Sequence, residues 1–101
     1  MEYREFGKTG IKVSILGFGA MRLPMDEVNG KHLAREEESL KMIIRSFELG
    51  INYIDTAFPY CYEQSEAIVG KALKIWKSKN KQSTIYLATK LPTWKILCIP
   101  Y

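Results

Sequence analysis

At 101 residues the chain sits near the usual domain size and far below the roughly 250 residues of a (β/α)8 barrel, so it is at most one domain, either small or incomplete. Apolar residues make up 47% and charged residues 26%, which argues against a disordered chain, and no apolar run approaches the roughly 18 residues that span a bilayer. The net charge of +4 is scattered apart from Lys71, Lys74, Lys77, Lys79 and Lys81, where a solvated helix face is a simpler account than a nucleic-acid or acidic-membrane patch. Cys61 and Cys98 are too few for a disulfide scaffold and match no metal-ligand spacing. With free thiols and no apolar leader in Met1-Glu2-Tyr3-Arg4-Glu5, cytoplasmic residence is the expectation.

In chain order, Glu2 to Phe6 and Ile11 to Ser14 flank Gly7-Lys8-Thr9-Gly10, which suggests a β-hairpin. Gly7-Lys8-Thr9 is no phosphate loop, because Glu2 stands where that motif needs its first glycine. Ile15 to Gly19 predicts a strand ending in Gly17-Phe18-Gly19, but Arg22 occupies the place of the third glycine of a dinucleotide fingerprint. Leu23 to His32, with Pro24 and Asn29-Gly30, predicts a loop with its own turn, and His32 is expected to be solvated there.

From Arg35 to Leu49, Leu40, Ile43, Ile44 and Phe47 recur at helical spacing behind Glu36, Glu37 and Glu38, and Gly50 is placed to stop the helix. Ile51, Tyr53 and Ile54 suit an interior parallel strand whose end carries Asp55; Tyr60 follows on a polar loop. Ser65 is the expected N-cap of a second helix with the stripe Ile68, Val69, Ala72, Leu73 and Trp76. A third β-rich run, Thr84 to Lys90, ends in a charge before Leu91-Pro92. The order is a hairpin followed by a βαβαβ unit, which implies a parallel sheet with right-handed crossovers. Two neighbouring strands then deliver Asp55, Tyr60 and Lys90 to one rim.

Asp55-Thr56-Ala57-Phe58-Pro59-Tyr60, then Ser65-Glu66 and Val69-Gly70, then Ala88-Thr89-Lys90 resembles the aldo-keto reductase family. Ile54-Asp55-Thr56-Ala57 with Pro59-Tyr60, and Ala88-Thr89-Lys90-Leu91-Pro92-Thr93-Trp94, are similar to the branch with an appended ferredoxin-type segment. The resemblance implies an α/β fold, the N-terminal portion of a (β/α)8 TIM barrel, over residues 1–94, with the hairpin plugging the barrel bottom. It also implies NADP(H) as cofactor and a small carbonyl substrate, with Gly19, Ala20 and Met21 near the nicotinamide ribose. An iron–sulfur cluster would belong to a distal segment of the parent protein, since no ligand cysteines for one lie in this chain.

Carbonyl reduction needs a proton delivered to oxygen as negative charge builds there. A tyrosine hydroxyl, with a reference pKa of about 10, is a poor donor without a nearby cation. The family pattern makes Tyr60 the general acid, Lys90 the cation beside it and Asp55 the carboxylate that orients Lys90 and also lies near the cofactor ribose. Taken singly, Asp55 is an ordinary strand-end residue, Tyr60 one of six tyrosines and Lys90 an exposed charge before a proline. Cys61 has no expected role.

Residues 95–101 form an atypical tail, Lys95-Ile96-Leu97-Cys98-Ile99-Pro100-Tyr101, where a third helix is expected; truncation or a reading-frame change near Lys95 is the expected cause. The family's catalytic histidine and remaining strands are missing, so the isolated chain is expected to lack reductase activity. The alternative is a non-catalytic small α/β protein that binds a partner, or a second copy, through its open sheet edge.

Overall fold

The computed structural model of the chain describes residues 1–80 and 82–92; Lys81, Thr93, Trp94 and Cys98, with the whole expected tail, lie outside the described residues. The chain opens with β1 (Tyr3–Glu5) and β2 (Lys12–Ser14), antiparallel with Tyr3 opposite Ser14. Gly7 and Gly10, at φ 59° and 78°, turn the link as their permissive backbones allow. This hairpin lies at the N-terminal end of the main sheet. Tyr3 donates its hydroxyl to the Gly50 carbonyl at 2.8 Å, and Asn52 accepts from Ser14 N–H at 2.7 Å.

The main sheet is parallel and ordered β3–β6–β7, with β3 at Phe18–Gly19, β6 at Tyr53–Asp55 and β7 at Tyr86–Ala88. The strand expected from Ile15 shrinks to its last two residues, because Ser14 Oγ donates to the Leu16 carbonyl and bends the chain before β3. Residues 25–34 are a second correction. The expected loop is a β-hairpin, β4 (Met25–Val28) with β5 (Lys31–Ala34), turned by Asn29 and Gly30 at φ 52° and 77°. Both values are those of a type I′ turn, the geometry Asn-Gly favours.

Helix α1 (Glu36–Glu48) ends as its glycine predicts. Gly50, at φ 100°, donates to the Phe47 carbonyl and Ile51 to that of Ser46, a Schellman closure that satisfies two orphan carbonyls. A Cβ on Gly50 would stand 2.9 Å from Met1 Cβ and 3.1 Å from the Tyr3 hydroxyl. Gly50→Ala is therefore expected to cost more than about 1 kcal/mol, read as a lower urea midpoint at unchanged m-value.

Helix α2 (Ser65–Lys79) and α1 lie against one face of the sheet. Their shared core is Ile43, Phe47, Ile54, Ile68, Val69 and Ala72, all under a tenth exposed. Ile54 projects between the helices from the middle strand. Phe47 and Trp76 close the lower end with ring centroids 5.6 Å apart.

Candidate active site

Parallel pairing lines up Gly19, Asp55 and Ala88 across the three strands. Beyond that row the ladder continues: Ala20 N–H donates to Asp55, Thr56 N–H to Ala88 and Phe58 N–H to Lys90, at 2.8, 2.8 and 3.1 Å. Side chains alternate along a strand, so Asp55, Ala88 and Lys90 share the face opposite Ile54. Lys90 Nζ donates to Asp55 Oδ1 and Oδ2 at 3.0 and 2.8 Å and to the Thr56 carbonyl at 2.9 Å. The same nitrogen stands 4.7 Å from the centre of the Tyr60 ring. The structure thus brings Asp55, Tyr60 and Lys90 together at the C-terminal ends of β6 and β7.

The Asp55 carboxylate holds the Lys90 ammonium above its ordinary value of 10.5; loss of hydration works against this and the nearby Tyr60 hydroxyl adds to it. A folded-state value raised in this way means the pair stabilises the fold fully below the unfolded value, and the contribution is lost as pH rises through the folded one. Both side chains are partly exposed, so the effect is small. Lys90→Met is expected to flatten the fall in Tm above pH 10.5 while leaving the neutral-pH slope unchanged, as thermal melts across that range would show.

Ser65 departs from its expected role. The N-cap is Gln64, without a side-chain cap bond, and Ser65 is the first helical residue, fully buried. Its hydroxyl donates to the Ala20 carbonyl at 2.8 Å and lies 2.7 Å from Thr56 Oγ1. With its one proton on Ala20, Ser65 accepts from Thr56. The ends of β3, β6 and α2 are fastened at a single buried point.

The loop from Tyr60 to Gln64 carries an unusual backbone. Cys61, Tyr62 and Glu63 are all left-handed, at φ 53°, 53° and 66°, with no glycine among them. Side-chain contacts hold it. Cys61, buried, accepts from Leu23 N–H and donates to the Met21 carbonyl, both at 3.2 Å. Tyr62 stacks on the half-buried His32 with centroids 4.1 Å apart. Gln64 accepts from Ala34 N–H at 2.9 Å and donates to the His32 carbonyl at 2.8 Å, continuing the β5 edge as an added strand would.

Between this loop and the turn after β3 lies an open cleft of about 590 Å³, walled by Met21, Leu23, Met25, Pro59 and Tyr62 and reached by Tyr60. Of the residues expected near a cofactor, Gly19 faces open space where a Cβ would be, and Met21 is exposed. Ala20 is fully buried and fixes the turn through its N–H and carbonyl. Among the described residues no cluster of three or more His, Cys, Asp or Glu side chains is placed to hold a metal, and no helix is long and apolar enough to cross a membrane.

Parallel strands alternating with helices, with polar side chains gathered at the strand C-termini, match the N-terminal part of a TIM barrel, the fold of the solved structures this chain resembles. The chain belongs to the aldo/keto reductase family, whose model matches residues 15–97, and so to an oxidoreductase class. It is 42% identical over 90 residues to versiconal hemiacetal acetate reductase of Aspergillus parasiticus, covering 89% of this chain and 25% of the relative. It is 37% identical over 95 residues to L-galactose dehydrogenase of Arabidopsis thaliana, covering 94% and 28%. Among solved structures, the holo form of an aldo-keto reductase from Bacillus halodurans superposes with a TM-score of 0.67 at 39% identity, over 88% of this chain and 25% of that one. The chain therefore spans about a quarter of the length of the relatives it matches.

The family implies a nicotinamide cofactor, and the rim leaves room beside the strand ends: Gly19 has open space where a Cβ would be and pairs with Asp55 across the sheet, and Met21 is exposed on the turn that follows β3. Of the site's features, the Thr56–Ser65–Ala20 bonds, the Gln64 clamp and the Cys61 contacts went unforeseen. Only the hairpin beside them had a sequence signal, Asn29-Gly30.

Proposed function

We propose that this chain carries the opening portion of an NADP(H)-dependent reductase acting on an aldehyde or ketone. The observation that carries the reading is the placement of Lys90 Nζ on both oxygens of Asp55 and over the ring of Tyr60. A bound nicotinamide would supply the hydride. Tyr60 gives its hydroxyl proton to the carbonyl oxygen, and the charge that grows on the phenol oxygen does so beside the Lys90 ammonium. Asp55 and the Thr56 carbonyl fix that ammonium, so no reorientation is needed as charge develops. Gly19 and Met21 line the ribose end, and Ala20 holds their turn in place.

Residues 1–94 form the partial barrel in this reading, and 95–101 stand apart from it. The adenosine-phosphate loops and the family's catalytic histidine belong to the remainder of such an enzyme, as would any iron–sulfur segment. The isolated chain, cytoplasmic in this reading, is then inactive. Purified polypeptide should show no steady NADPH oxidation with a panel of aldehydes, whereas a chimera with residues 1–92 grafted into the Bacillus halodurans reductase should show it. Turnover by the isolated chain, or an inactive but folded chimera, would count against the assignment.

A second reading draws on the sheet edge. Among the described residues β7 pairs only with β6, and Leu87 and Leu91 are 49% and 67% exposed. Such an edge suits self-association or a protein partner. A concentration-dependent elution volume in size-exclusion chromatography would support it, and a monomer at all concentrations would not.

A further inference from the structure

The cleft beside Tyr60 has one charged wall residue. Arg22 stands among Met21, Leu23, Met25, Pro59 and Tyr62, and no acidic side chain lines the space. Among the described residues Arg22 makes no ion pair or side-chain hydrogen bond, whereas Arg4, Arg35 and Arg45 all do. Its place is fixed from both sides, because Cys61 accepts from the N–H of Leu23 and donates to the carbonyl of Met21. Arg22 is held at the mouth of an apolar cleft while its guanidinium stays uncommitted.

We infer that the cleft takes a carbonyl compound with an apolar body and a carboxylate, and that Arg22 selects the carboxylate. The inference rests on the reductase reading above, which places the reacting carbonyl at Tyr60. A planar guanidinium offers paired N–H donors that match a carboxylate, and the apolar walls lower the competition from water. Met25 supplies a flexible side chain that adapts to the apolar body. A neutral aldehyde of the same shape would gain the wall contacts and leave the cation unanswered.

The test is binding to the full chain, followed by NMR of the methionine methyls and the arginine Nε–H groups. The probes are 4-phenyl-2-oxobutanoate, its ethyl ester, 4-phenylbutanoate and nicotinamide mononucleotide. The keto acid is expected to bind about fivefold tighter than the ester and to shift Arg22 and Met25. Arg22→Gln should erase that preference while leaving ester binding intact, and Arg22→Lys should restore part of it. Arg22 is exposed, so neither variant threatens the fold. Equal binding of acid and ester, an undiminished preference in R22Q, or no methyl shift with any acid would overturn the inference. So would an R22Q-sensitive shift produced by nicotinamide mononucleotide alone, which assigns the cation to a cofactor phosphate. If both acids outbind the ester but the keto group adds nothing, the carboxylate site stands and it is the carbonyl reading that fails.

Discussion

Tyr60→Phe, introduced into the chimera described above, is expected to lower kcat/KM by about 10²–10⁴ with little change in KM for the carbonyl substrate. The substitution is selective. Phenylalanine keeps the ring that lies 4.7 Å from Lys90 Nζ, so the cation–ring contact survives and only the hydroxyl is lost. The left-handed turn that follows is held by Cys61, Tyr62 and Gln64, none of which bonds through the Tyr60 hydroxyl. A folded variant therefore reports on proton transfer. Lys90→Met should also lower kcat while retaining the phenol, because the growing negative charge loses the cation beside it. A folded Tyr60→Phe chimera within about tenfold of the parent would exclude the phenol as proton donor.

The sheet and the meeting of Asp55, Tyr60 and Lys90 were legible in the sequence because both follow from period and punctuation. Ile51 to Ile54 and Thr84 to Ala88 are apolar enough to be strands, and each ends in a charge before a loop. Parallel pairing then brings those ends to the same side. Gly50 announced its left-handed role for a similar local reason. The supports of the site were hidden because they are nonlocal. Ser65 looks like an N-cap from its neighbours alone, yet the Ala20 carbonyl, far away in sequence, claims its hydroxyl. Cys61, Tyr62 and Glu63 contain no residue that advertises a positive φ; the conformation is imposed by partners on β5 and on the turn after β3. The second hairpin was the avoidable error. Asn29-Gly30 is a strong hairpin signal, but Pro24 and the charges at Asp26 and Glu27 masked the strand before it.

Ile54→Ala should be the most damaging substitution to the fold. Ile54 is fully buried, pairs with Phe18 on one side and Leu87 on the other, and contributes to the core beneath both helices. Truncation removes its transfer free energy and leaves a cavity under two helices, at a cost of about 2–5 kcal/mol. A chain of this size commands roughly 5–15 kcal/mol in all, so at unchanged m-value the variant is expected to lose about a third of its urea midpoint. The informative control is Leu87→Ala. Leu87 is Ile54's partner in register and lies on the same face, so both variants sacrifice strand preference, but Leu87 is 49% exposed and has far less burial to lose. A much smaller shift for Leu87→Ala assigns the loss at Ile54 to the core between sheet and helices. Equal shifts would mean that the Leu87 face is covered in solution, and a concentration-dependent midpoint would then identify the cover as a second copy.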